Sequence, residues 1–165
     1  MSEYTWPKGK SAAVMISIDV DADTPLLWRA RGETEIRFIA ELERFQLYDS
    51  SLAGLDWPYT CSGITEVPIS WAREDTARFK LTGLADRWPP TGPDQVLAEW
   101  IFDYEATVER GGLFVLTLHD WIAGRPAQLR VLDALLERIR ADGATWVTTG
   151  QEIADHHRRD LNLRG

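Results

Sequence analysis

The sequence predicts an α/β fold, and two observations support that prediction. The second half of the chain alternates helical and strand patterns over residues 93–157, in the order helix, strand, helix, strand, helix. The first half contains an apolar run at 12–18 that lacks the 3.6-residue period of a helix. Such a run is typical of a strand buried on both faces of a parallel sheet. The alternation implies right-handed parallel crossovers between the later strands.

The individual elements follow from hydrophobic spacing and from glycine and proline positions. Residues 1–10 are polar and favour a lead-in loop, and the stretch 48–93 is rich in loop residues. Within that stretch, 65–71 is a candidate strand that Pro68 moves toward a sheet edge, because proline cannot donate to the ladder. The remaining elements are a helix over 33–46, a helix from Pro93 that ends at Gly111–Gly112, a strand over 113–118, a helix from Arg125–Pro126 to Asp142–Gly143, a strand over 144–148 and a terminal helix that begins at Gln151.

Length and charge restrict the class of protein. The 165 residues predict one domain over 1–165, because domains average about 150 residues. The 26 acidic and 18 basic residues give a net charge of −8, which disfavours nucleic acid and anionic membranes as partners. No apolar run approaches the ~18 residues of a membrane span. The one cysteine, Cys61, cannot form an internal disulfide, so we predict a cytoplasmic protein.

Polar residues that could carry chemistry follow two of the predicted strands. Asp19 and Asp21 follow the first strand, and His119 follows the strand at 113–118. Active sites of α/β folds lie at the carboxyl ends of such strands. Two close carboxylates ionise together when a cation lies between them, so Asp21 is a candidate metal ligand and Asp19 a candidate base on water. His119 is a candidate general acid at a leaving nitrogen. The alternative is that the Asp-x-Asp pair caps a helix or solvates a loop.

Two further groups of residues leave structural and functional interpretations open. His156 and His157 are adjacent on a helix and face different directions, so they are a poor chelating pair and favour a charged, frayed terminus. Aromatic side chains near a polar site can stack on a sugar or flat ring, and they can equally fill a small core. The tryptophans to which this applies lie in or beside predicted loops: Trp28, Trp57, Trp71, Trp88 and Trp121.

Three collinear blocks of the sequence resemble the polysaccharide deacetylase (NodB-homology) family. They are WPKGKSAAVMISIDVDADTPLLW, the central FQLYDSSLAG with VPISW, and GGLFVLTLHDWIAGRPAQLRVLDALLERIRADGATWVTTGQEIADH. The nearest resemblance is to the branch whose first motif reads FDVDA. The resemblance implies a distorted (β/α) barrel that hydrolyses amide bonds with zinc or a similar divalent ion. It also implies that Asp19 is the catalytic base, Asp21 the metal-binding aspartate and His119 the acid that protonates the leaving amine.

The sequence departs from the family pattern in two ways. The H-x-x-x-H pair that completes the family's metal site is absent, since His119, His156 and His157 are the three histidines. The family's arginine-containing third motif is also absent, which suggests an internal deletion near 29–35 that removes middle strands of the barrel. We therefore predict an incomplete barrel that either forms a homodimer through the exposed strand edges or closes into an open α/β sandwich.

Two hypotheses for function follow from the sequence. The first is a metal-dependent hydrolase of non-peptide amide C–N bonds that acts on a small-molecule or sugar amide. Its missing metal ligands would come from a partner subunit or from His156 and His157. The second is a non-catalytic, truncated relative that acts as a binding or assembly module. The metal distinguishes the two, because only the first requires one.

Overall fold

The computed structural model describes residues 4–19, 47–79 and 90–164. Six strands lie in these segments: β1 (Ala12–Asp19), β2 (Tyr48–Asp49), β3 (Tyr59–Cys61), β4 (Ile64–Glu66), β5 (Leu113–His119) and β6 (Thr145–Val147). The α-helices are α1 (Asp75–Phe79), α2 (Pro93–Arg110), α3 (Asp120–Ala123), α4 (Pro126–Asp142) and α5 (Gly150–Arg164). The predicted helix over 33–46 and the predicted deletion near 29–35 lie outside the described residues.

The central sheet is parallel and has the strand order β5-β1-β6. The pairing of β1 with β5 runs in register from Ala13–Leu113 to Asp19–His119. Successive side chains of a strand point to opposite faces of the sheet. Even-numbered side chains pack against α2 and α4, and odd-numbered ones pack in a second cluster with the N-terminal segment and α5. This burial on both faces explains the uninterrupted apolar run of β1.

A second sheet of short strands has the order β2-β4-β3. β4 is its central strand, parallel to β2 and antiparallel to β3. The candidate strand over 65–71 is confirmed in part, because Thr65 and Glu66 belong to β4 and Ile69 forms a further parallel bridge to Ala53. Its predicted edge placement is wrong, since β4 is the central strand. The backbone pairing continues past Glu66, with the Val67 N–H donating to the Asp49 carbonyl and the Ile69 N–H to the Leu52 carbonyl. Pro68 lies between these two donors, so its missing N–H interrupts neither bond. The β3–β4 turn contains Ser62 and Gly63 with φ of 50° and 81°, a left-handed conformation that glycine adopts at little cost.

The helices of the second half confirm the predicted boundaries. α2 and α4 begin at prolines, whose missing N–H would be unsatisfied there in any case, and each is followed by a glycine with positive φ. Those glycines are Gly111 (φ 69°) and Gly143 (φ 63°). The predicted terminal helix is α5, which runs from Gly150 to Arg164. His157 lies within it and is buried, so the predicted frayed end is wrong at this position.

Arg73 fixes the segment before α1 to the central sheet. Its side chain is buried between α2 and the start of β5. It donates to both carboxylate oxygens of Asp103, to Thr107 Oγ1 and to the Leu113 carbonyl. Its guanidinium carbon also lies 5.0 Å from the centroid of the Phe114 ring. These contacts hold the chain alongside β5 at the point where α1 begins.

The described strands form two open three-stranded sheets, with helices on the parallel one, which confirms the predicted α/β class and incomplete barrel. No helix in the described segments is long and apolar enough to cross a membrane.

Candidate active site

Two of the sequence-predicted site residues are neighbours at the carboxyl edge of the parallel sheet. Asp19 and His119 are the last register pair of β1 and β5. Residues paired in register on parallel strands project from the same face and have Cα atoms about 4.8 Å apart. Asp19 is exposed, whereas His119 is buried to 8% exposure. Asp21, the predicted metal ligand, lies outside the described residues.

Asp75, which sequence reasoning did not identify, holds His119 through two hydrogen bonds. Asp75 Oδ1 lies 2.7 Å from His119 Nδ1, and Oδ2 accepts a 2.8 Å hydrogen bond from the His119 backbone N–H. The Asp75 carboxylate is fully buried. An ionised carboxylate only accepts hydrogen bonds, so this contact requires a proton on Nδ1 and assigns acid–base chemistry to Nε2. Asp75 therefore fixes both the orientation and the tautomer of the ring.

The position of Asp75 follows from a single bridge outside the named strands. Glu74 pairs in parallel with Thr117 of β5, on the side of β5 away from β1. The chain turns into α1 at the next residue, which brings Asp75 over the end of β5. Glu74 and Asp75 stand in a stretch that the sequence predicts as loop, so no local pattern places them beside a strand. A carboxylate pair next to a predicted edge strand is the one signal that could have identified them.

Polar side chains continue inward from the Asp19–His119 pair on the same face of the sheet. Ser17 and Thr117 are the register pair two residues earlier, and their hydroxyl oxygens lie 3.5 Å apart. Glu74 extends this row beyond β5 through its bridge to Thr117. The candidate site therefore has a polar floor beneath its two reactive side chains.

An exposed tryptophan lies beside the candidate acid. Trp121 is 46% exposed, and its ring centroid lies 6.5 Å from that of His119. Other tryptophans serve the core: Trp100 is almost fully buried and donates to the Ala72 carbonyl, and Trp6 donates to the Gly111 carbonyl. Of the tryptophans whose role the sequence leaves open, Trp57 packs against the second cluster and donates to the Gly111 carbonyl, which confirms the core interpretation for this residue, whereas Trp71 is 64% exposed. Stacking of Trp121 on a ligand stays a prediction. Trp28 and Trp88 lie outside the described residues.

The two remaining histidines lie at the opposite end of the sheet. His156 Nε2 is 2.7 Å from the Thr5 carbonyl, and its ring packs on Trp146 at 5.8 Å. Trp146 pairs with Ala13 at the start of β1. Six residues of extended strand separate that position from the end of β1, about 20 Å. His156 and His157 therefore cannot complete a metal site with Asp19 or His119 of the same chain.

The described residues do not fit a zinc site. Zinc sites use three or four protein ligands, commonly including several histidines or cysteines. Within 4–19, 47–79 and 90–164, no three His, Cys, Asp or Glu side chains cluster so that they could hold a metal ion. At the carboxyl edge of the sheet, His119 Nδ1 is already bound by Asp75. The donors described here support acid–base chemistry.

Burial perturbs the pKa of one titratable group at the far end of the sheet. The His157 ring lies 3.5 Å from the Tyr4 hydroxyl and 3.4 Å from Thr60 Oγ1. Desolvation lowers the pKa of His157 below its usual 6.5, and it outweighs the negative charge of Asp160, which raises the pKa. The neutral His157 ring contributes to packing of the N-terminal segment. It therefore has no part in the candidate active site.

Comparison with known proteins identifies the fold. No protein-family profile matches the sequence, and no curated protein sequence matches it. A protein assigned as a polysaccharide deacetylase from Mycobacterium smegmatis superposes with a TM-score of 0.69 and 27% identity, over 78% of this chain and 47% of that one. One assigned likewise from Pseudomonas aeruginosa PAO1 gives 0.62 and 21%, over 75% and 42%. The Puue allantoinase gives 0.62 and 22%, over 76% and 43%.

The chain therefore has the fold of the polysaccharide deacetylases, which the allantoinase shares. It spans less than half of the length of each of these structures. The resemblance predicted from the sequence is confirmed at the level of the fold. The assignment to the FDVDA branch stays a prediction.

Proposed function

We propose that this chain hydrolyses a non-peptide amide C–N bond, with Asp19 as general base and His119 as general acid. The observation that carries the proposal is the register pair Asp19–His119, with Asp75 bound to the far side of the imidazole. The solved structures with this fold include proteins assigned as polysaccharide deacetylases and an allantoinase, which supports an amide substrate. Candidate substrates are an N-acetyl sugar and a cyclic ureide.

The proposed reaction uses the side chains in sequence. The Asp19 carboxylate takes a proton from water, and the water oxygen attacks the amide carbonyl carbon. His119 then gives the proton on Nε2 to the nitrogen as the C–N bond breaks, which yields a carboxylic acid and an amine. Asp75 stabilises the imidazolium before this transfer, because its carboxylate accepts a hydrogen bond from the Nδ1–H group. Asp75 is thus a positioning residue, since it acts through His119.

Metal dependence is a separate part of this proposal. The resemblance implies a divalent ion with Asp21 among its ligands, but the described residues do not supply the rest of a site. No step above passes through a metal. We propose assaying hydrolysis with added zinc and with a chelator. Activity that zinc raises and the chelator abolishes would support metal dependence, and activity indifferent to both would contradict it.

The test of the proposed function compares variants at the two ends of the sheet. We expect the wild type to release acetate from N-acetyl chitotriose or to open the ring of allantoin. Asp19→Asn and His119→Ala should each lower kcat by about 100-fold or more, the usual range for a general acid or base. Asp75→Asn should lower kcat less and shift the pH profile. His156→Ala, at the far end, is the matched control and should retain activity.

Two outcomes would contradict the proposed hydrolase. One is equal activity in the wild type and in His119→Ala. The other is a wild type that is inactive on both substrates with and without zinc. The second outcome would favour the non-catalytic binding module, which the absence of a second histidine near His119 supports. The predicted homodimer stays a prediction, and light scattering at micromolar concentration would check it.

A further inference from the structure

We propose that Glu74 is a substrate-binding residue of this site, whose Oε2 accepts a hydrogen bond from an N–H group of the substrate. This inference rests on the proposed function for the site's location, and it adds the chemistry that the site recognises. The substrate class it defines is a neutral or cationic amide that carries at least one N–H, as ureides and N-acetyl amines do.

Glu74 lies on the face of the sheet that carries the candidate site. In a parallel bridge, paired residues project from the same face, so Glu74 shares the face of Thr117. His119 follows Thr117 by two residues and therefore projects from that face as well. The preceding residue, Arg73, projects from the opposite face toward α2. The alternation independently places the Glu74 carboxylate on the active-site face.

The Glu74 side chain extends along the strand toward the carboxyl edge of the sheet. Its Oε1 accepts a hydrogen bond from the Thr76 hydroxyl. Thr76 belongs to α1, which begins at the carboxyl edge of the sheet. This contact draws the carboxylate toward the edge where His119 lies. The Cα atoms of Glu74 and His119 are about 8 Å apart, from one strand spacing and two residues of rise.

One oxygen of the Glu74 carboxylate has no hydrogen-bond donor among the described residues. Glu74 is 9% exposed, and among the described segments no protein group hydrogen-bonds to its buried Oε2. A buried carboxylate oxygen without a donor costs stability, and such groups are rare unless they serve a ligand. The negative charge selects a donor and repels an anion. Because the atom lies below the surface, the group that reaches it must be small, as an amide or ureide N–H is.

The first experiment measures stability without any ligand. Glu74→Gln retains an oxygen for the Thr76 contact and removes the buried charge, so we expect a melting temperature equal to or above that of the wild type. Residues retained for binding commonly behave in this way. A melting temperature lower by more than about 3 °C would overturn the proposal, because it would show that Oε2 has a structural partner.

The second experiment measures recognition in the full chain. N-acetylated chitobiose and allantoin are compared with counterparts whose amide N–H groups are methylated, by ligand-induced thermal shift and, where turnover occurs, by kcat/KM. Loss of one hydrogen bond to a charged group should weaken recognition of the N–H ligands about 10- to 100-fold in Glu74→Gln. The methylated ligands should not distinguish the variant from the wild type. Glu66→Gln, which changes another buried carboxylate, on β4, is the matched control.

The outcomes separate this inference from the proposed function. Turnover with no difference between Glu74→Gln and wild type overturns the role of Glu74 and leaves the hydrolase standing. Binding that depends on Glu74 without turnover supports the role of Glu74 and contradicts the hydrolase. If neither N–H ligand raises the melting temperature of the wild type more than that of Glu74→Gln, the proposal for Glu74 fails.

Discussion

Replacing Arg73 with methionine should lower the free energy of unfolding more than replacing any surface arginine does. The substitution keeps the aliphatic length and removes the guanidinium, so Asp103 loses a two-pronged partner and the Leu113 carbonyl loses a side-chain donor. It also removes the cation beside the Phe114 ring. These contacts hold the segment that carries Asp75 and Glu74 against β5.

The magnitude follows from the burial of Arg73 and of its two carboxylate partners, Asp103 and the half-exposed Asp56. Breaking a buried ion pair by removing one member costs about 3–5 kcal/mol. The Arg73 side chain is 5% exposed, but that of Asp103 is 34% exposed, so water compensates part of the loss. We expect about 3 kcal/mol at the lower end of that range. For a chain of this size, that corresponds to a fall in melting temperature of about 6–12 °C.

The assay is urea and thermal unfolding followed by far-UV circular dichroism. Arg73→Lys should lose less stability than Arg73→Met, because an ammonium keeps the positive charge. It should still be less stable than the wild type, because an ammonium cannot make the two-pronged contact. Arg138→Met is the control, since Arg138 forms a solvent-exposed pair with Glu105 and should change little. An Arg73→Met loss below about 1 kcal/mol, or one equal to that of Arg138→Met, would refute the assignment of Arg73 as the contact that fixes this segment.

Two further predictions concern pH. Because burial lowers the pKa of His157 below 6.5, the stability it contributes is present above pH 6.5 and is lost as the pH falls from 6.5 through the folded pKa. The difference in unfolding free energy between wild type and His157→Gln should therefore shrink between pH 7 and pH 5, and a constant difference would contradict this. Burial raises the pKa of Glu66 above 4.5, so its contribution to stability is lost as the pH rises from 4.5 through the folded pKa. Urea titrations should show that the unfolding free energy of Glu66→Gln, relative to the wild type, is higher at pH 7 than at pH 4. A relative free energy that falls with rising pH would contradict this prediction.

The sequence predicts the parallel half of this molecule well because local signals and tertiary structure agree there. Proline at the start and glycine after the end mark both α2 and α4, and the apolar runs of β1 and β5 are buried on both faces. The placement of Asp19 beside His119 follows from the same rule, since the carboxyl ends of parallel strands share one edge. That part of the candidate site required no knowledge of long-range contacts.

Asp75 and Glu74 could not be placed in this way. Their position depends on a single bridge to Thr117 and on the buried contacts of Arg73, and neither leaves a periodic pattern in the sequence. The short strands β2 and β3 were not predicted for a similar reason, and β4 was predicted only through its overlap with the candidate strand over 65–71. Strands of two or three residues have too few positions for alternation to be detected, and their pairing is decided by packing against neighbours.

Because the three histidines lie in two separate regions, their imidazole signals can report on each region independently. His119 samples the carboxyl edge of the parallel sheet, while His156 and His157 sample the N-terminal segment at the other end. Imidazole resonances in a selectively labelled sample would therefore distinguish a ligand that occupies the site from a change that loosens the far end. A compound that shifts only the His119 signals acts locally, and one that shifts all three has altered the whole sheet.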